Sequence, residues 1–209
     1  MTIAKEKTYN RLCAAGIVGS VLLSVILISL GDSPRKDALS VIGSANRELF
    51  FMWGTITGAA TYFNLHRLAA KLEFKSKAFE WILAVGCSMI LLTISILGYQ
   101  TLNRIIHVGS ALAFGLSTVG CLLWLIIVKC VKRKDIKVTA TYICAMVFAA
   151  IIFIVTSIQV GWFTAVSQVL LANVCLAVIF SATHLENFSP DEAQATAENI
   201  SELEAELLH

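Results

Sequence analysis

Glu48 and His107 are the side chains whose types and setting could do chemistry. A carboxylate and an imidazole together can move a proton on and off a substrate, the work of a general acid–base pair. Each stands at the mouth of a long apolar run, residues 49–70 and 105–128. His107 lies in NRIIHVGSALAFG, residues 103–115, with Asn103 four positions before it and so on the same side of a helix. Arg104, between them, has a stem long enough to carry its charge out of an apolar layer. The competing reading is structural: His107 closes a helix end with a hydrogen bond to a neighbouring helix. A lone histidine with no second His or Asp cluster does not point to a metal, and no metal or cofactor is expected.

The elements that must position these residues follow from composition. Of 209 residues, 57% are hydrophobic and 14% charged, where a soluble domain carries roughly 25% charged residues. Apolar runs of about 20 residues cross a bilayer as helices, because no other open structure satisfies its backbone there. Six such runs are present: residues 12–31, 49–70, 81–98, 105–128, 138–158 and 162–183. The expected fold is all-α, a polytopic membrane protein of six transmembrane helices. Residues 1–185 form the membrane domain and residues 186–209 an acidic tail. The first run is too long for the roughly 7–15-residue core of a secretory signal, so it is read as a retained span.

Basic residues set the orientation. Lys5, Lys7, Arg11, Arg67, Lys71, Lys75, Lys77, Lys129, Lys132, Arg133, Lys134 and Lys137 are twelve of sixteen and fall on one side. Arg35, Lys36, Arg47 and Arg104 fall on the other. Both termini are therefore expected in the cytoplasm. Lys129, Lys132, Arg133 and Lys134 would lie under an anionic leaflet and, with Arg104 at the far side, hold lipid headgroups. The tail has seven acidic residues from Glu186 onward and no lysine or arginine. Ser189-Pro190-Asp191-Glu192 reads as a helix start, with a docking role toward the chain's own basic loops or a cytoplasmic protein partner; the alternative is a disordered, solubilising tail. Nothing suggests nucleic acid as a partner.

No run carries an ionisable residue at its middle, which argues against a coupled transporter. What the runs carry is small residues: Gly54 and Gly58 as a GxxxG, and Gly109, Ala113, Ser117, Gly120 and Cys121 on one face of the fourth run, with Ser110 beside them. Such faces let helices approach closely, within a chain or between copies of it. Gln168 and Asn173 are read as helix-to-helix hydrogen-bond partners. The six cysteines are read as small buried hydrophobes, with Cys130 the one placed for lipidation.

Two stretches resemble a known family. LSVIGSANRELFF, residues 39–51, is similar to the outer-loop element of the DRAM/FRAG/SFK family, in which an (I/L)S-x-x-G segment precedes a span; Val41 stands where the family usually has Asp. ILGYQTLNRIIHVGSA, residues 96–111, resembles that family's hairpin between its third and fourth spans. Distant bacterial six-span relatives are an equal match. The matching positions are Ser40, Gly43, Gly98, Gln100 and His107. The resemblance implies membrane-lipid or trafficking biology and transfers no catalytic residue. The leading expectation is thus a non-enzymatic membrane protein that binds or organises lipid and docks partners at its cytoplasmic face. The alternatives are a lipid-modifying enzyme centred on Glu48 and His107, or a structural subunit of a larger membrane complex.

Overall fold

The computed structural model describes residues 3–35, 37–96, 101–134, 136–160 and 164–185. Among them the regular structure is helical throughout: α1 (Ile3–Ser29), α2 (Leu39–Ala45), α3 (Arg47–Lys71), α4 (Lys77–Ser95), α5 (Thr101–Arg133), α6 (Ile136–Val160) and α7 (Ala165–Phe180). The last runs on into a π turn, Ser181–Leu185. The expected tail helix lies outside the described residues.

Local chemistry sets the helix ends. Pro34 falls in the turn between α1 and α2, where its missing N–H costs no helical bond. Helix α3 stops in a Schellman motif: Phe74 N donates to Ala69 O and Glu73 N to Ala70 O, with Glu73 at φ 49°. Ser76 then caps α4 by accepting from Phe79 N, and Thr164 caps α7 by accepting from Ser167 N. The next two orphan amides of α7 are met from the other loop: Ala165 N donates to Asp37 O at 2.7 Å and Val166 N to Pro34 O at 3.3 Å.

Among the described residues, five helices are long and apolar enough to cross a membrane: Thr8–Ser29, Lys77–Ser95, Ile105–Lys132, Ile136–Val160 and Ala165–His184. The run at 49–70 becomes α3, whose 25 residues reach the necessary length but fall short in apolarity. The reason is where its polar groups point. Thr57, Thr61 and Asn64 are buried inside the bundle, and Thr57 and Asn64 are hydrogen-bonded to α1. Their polarity is turned inward. The basic link expected after the fourth run is mostly helix, because α5 continues to Arg133 and α6 begins at Ile136. Lysine and arginine are good helix formers.

Cross-helix pairs give the register. Ser20 meets Thr57 at 2.5 Å and Cys13 O accepts from Asn64 at 3.0 Å, so α1 and α3 run antiparallel. Gly54 and Gly58 face Ile94 and Ile90, which sets α4 antiparallel to α3. Thr93 meets Ser110 at 2.8 Å on α5, Tyr142 of α6 meets Ser181 at 2.9 Å, and Ser24 of α1 pairs with Asn173 of α7. The start of α1 and the end of α7 consequently share one end of the bundle. One core cluster, with Leu65, Phe79, Leu122 and Ile179, fills that end. A second, with Leu27, Ile42, Phe50 and Ile94, fills the opposite end under α2. Large apolar side chains remain on the outside, Leu116 at 72% and Ile158 at 75% exposed, a surface that water would not tolerate but lipid does.

Candidate functional site

At the end away from the termini, His107 is held against α4. Its Nδ1 lies 2.8 Å from Thr93 O and 3.2 Å from Ile96 O. Both partners are carbonyls, so Nδ1 is the protonated nitrogen and donates. These are among the last carbonyls of α4, which have no partner within their own helix. Ser110 completes the junction, bonding Thr93 Oγ1 and His107 O. Glu48 is exposed in the first turn of α3. Among the described residues, the hydrogen bonds of His107 go to α4 and none joins it to Glu48. Asn103 is half-buried, and the Arg104 side chain lies outside the described residues.

The positions that carry the family resemblance divide. Gly43 sits at the α2–α3 corner, where a Cβ would come within 2.5 Å of the Phe50 ring, and Phe50 in turn stacks on Trp53 at 5.6 Å. Ser40 is half-buried on α2; Gly98 and Gln100 lie outside the described residues.

The glycine faces also divide. A Cβ on Gly58 would stand 2.6 Å from Ile90 Cγ2, and one on Gly54 would overlap Ile94, so the GxxxG packs against α4 within the chain. Gly109 and Gly120 face open space and Ala113 is exposed. The small-residue face of the fourth run divides: among the described residues Gly109 and Gly120 meet nothing, while Ser117 of the same face and Ser110 beside it pack against α4 and Cys121 is buried.

At the end that holds the start of α1 and the π turn, four cationic side chains and His184 converge from three segments, α3, α5 and the π turn. Asn64, Arg67 and Lys71 lie at i, i+3 and i+7 on α3 and so share a face. Asn64, fully buried, donates to Cys13 O and Ala60 O and accepts from His184 Nε2 at 2.8 Å. Lys71 donates to Thr183 O, a carbonyl of the π turn. π turns break the regular carbonyl ladder and are frequent at functional sites. Lys132 reaches back to Leu72 O. Lys129, buried, holds its ammonium 5.2 Å from the centre of the Tyr142 ring, a cation–π contact. Arg67 Nη1, Thr183 Oγ1 and Asn10 Oδ1 are buried there without a hydrogen-bond partner among the described residues; the α1–α3 register places Asn10 opposite Arg67.

Basic residues outnumber acidic ones at this end, where, among the described side chains, Glu73 and Glu80 are the acidic ones, both exposed. Helices α5, α6 and α7 contain no Asp or Glu, and α3 has only Glu48, at its far end. An anion is what such an arrangement can hold. Of the residues expected at headgroups, Lys129 and Lys132 share a face of α5 and belong to the cluster. Lys134 is exposed at φ 53°, and the Arg133 side chain lies outside the described residues. Lys129 does not point to a membrane surface as a loop residue would; it is folded into the bundle. Asn64, Thr183 and His184 were not singled out by sequence reasoning, and Arg67 and Lys71 entered it only as markers of orientation, although the i, i+3, i+7 spacing on α3 carried the signal. His184 had none. Among the described residues no group of His, Cys, Asp and Glu could hold a metal ion.

Compared with protein-family models, curated proteins and solved structures, the chain matches none. The resemblance to the DRAM/FRAG/SFK family gains no support from these comparisons.

Proposed function

We propose that this chain is a six-span integral membrane protein with both termini in the cytoplasm, and that it binds anionic lipid headgroups at its basic end without catalysing a reaction. The observation that carries the reading is the convergence of Arg67, Lys71, Lys129 and Lys132 with His184 at one end of the bundle, to which α3, α5 and α7 contribute no Asp or Glu. Basic pockets between helix ends on the cytoplasmic side are a recurrent way of holding acidic lipid. Counting α3 as a span rests on its length and on its polar groups being satisfied inside the bundle. Orientation rests on the same basic residues. His107 serves as a helix-end cap in this reading, because its donor nitrogen is engaged by α4 carbonyls.

The test is lipid retention by native mass spectrometry after extraction from nanodiscs of phosphatidylcholine with and without phosphatidylglycerol. Wild-type protein should retain phosphatidylglycerol over phosphatidylcholine, and Lys71→Gln with Lys132→Gln should lose that preference while melting normally. Inorganic phosphate added in its place should not compete. Equal retention of the two lipids by wild type would sink the reading.

A further inference from the structure

The basic end has an occupant available in its own chain. Residues 186–209 contain Glu186, Asp191, Glu192, Glu198, Glu202, Glu204 and Glu206, half of the fourteen acidic residues, and no lysine or arginine. They follow directly on the π turn, whose Thr183 O accepts from Lys71 and whose His184 is bonded to Asn64. The last described residues thus lie at the basic cluster, and the acidic segment follows them in sequence. At this end stand Arg67 and Lys132 of the cluster and the exposed Lys75, Lys77, Lys134 and Lys137.

We infer that residues 186–209 fold back onto the basic end of their own bundle and compete there with anionic headgroups. Single exposed ion pairs are weak. A tethered segment needs little affinity, however, because a short flexible link raises its effective concentration to about the millimolar range. At about 3.3 Å per residue the segment reaches every exposed lysine of this end. The same charges make the contact salt-sensitive. The competitive part of the inference rests on the headgroup reading; the contact of tail with bundle does not.

The test uses the full chain, one copy per nanodisc, treated with a carbodiimide that joins a carboxylate to an amine in direct contact. In phosphatidylcholine, tail glutamates should cross-link to the exposed Lys75, Lys77, Lys132, Lys134 and Lys137. The yield should fall several-fold in phosphatidylglycerol, and in about 1 M salt, where the screening length is about 3 Å. A chain carrying Glu198→Gln, Glu202→Gln, Glu204→Gln and Glu206→Gln should cross-link little and retain about two- to tenfold more phosphatidylglycerol, the gain from removing a millimolar competitor of comparable affinity. Absence of tail-to-lysine cross-links in phosphatidylcholine overturns the inference, whatever the lipid does. Cross-links that anionic lipid does not reduce overturn the competition. Failure of wild type to retain phosphatidylglycerol instead overturns the headgroup reading, and the cross-links then stand or fall on their own.

Discussion

Asn64 and His184 join α3 to the end of α7 through a 2.8 Å hydrogen bond, and the same Asn64 amide holds α1 through Cys13 O. One buried side chain thereby ties three helices. Asn64→Leu should lower stability by about 1–2 kcal/mol, two interhelical bonds on the scale measured within membranes. Asn64→Asp keeps an acceptor for His184 but loses the donor to Cys13 O, so it should fall between. Thermal unfolding in detergent reads the order; an Asn64→Leu protein as stable as wild type would show the junction to be incidental.

His107 donates from Nδ1, which decides its best substitute. Asparagine places its amide nitrogen near that atom, whereas glutamine mimics Nε2. His107→Ala should cost about 1 kcal/mol, His107→Asn should recover most of it, and His107→Gln less. If all three melt alike, the cap contributes nothing. If the asparagine variant is folded yet inert in the lipid assay, His107 has a chemical role.

Gly58 permits the close approach of α3 and α4. Gly58→Ala should destabilise by about 1–3 kcal/mol, the range for an overpacked site, and Ile90→Ala in the same chain should restore part of the loss by making room. Gly109→Ala and Gly120→Ala meet open space and should be neutral or slightly stabilising, since alanine is the better helix former by about 1 kcal/mol. A loss at Gly109 comparable to that at Gly58 would mean that this face packs against something outside the chain.

Glu73 holds a left-handed conformation at φ 49° on the exposed turn after α3. Glycine adopts it without the cost of about 1–2 kcal/mol that a Cβ incurs. Glu73→Gly should therefore raise the melting temperature, and Glu73→Val should lower it. No change for either would indicate that the turn relaxes freely.

Topology is checked by placing single cysteines in an otherwise cysteine-free chain. One in the segment 32–38 should react with an impermeant thiol reagent on intact cells, and one after residue 186 should react only after permeabilisation. The reverse pattern would invert the orientation and move the basic cluster to the other leaflet.

The sequence by itself determined where the apolar helices lie and which ends are basic. Run length and lysine placement are local properties, legible without knowing any neighbour. It also determined which residues share a helix face: Gly54 with Gly58, Asn64 with Arg67 and Lys71, Lys129 with Lys132. The tertiary structure decided which faces meet. Gly54 and Gly109 both belong to small-residue stripes at similar spacing, yet one touches Ile94 and the other touches nothing. Glu48 and His107 stand at the same end, yet His107 turns to α4. Run 49–70 reads as an ordinary span, but its polar atoms are spent on partners in α1 and the π turn. Spacing along one helix sets only relative angles about its own axis. The rotation and register of each helix against the others is a sum over every packed pair, and that sum exists only once all the helices have come together.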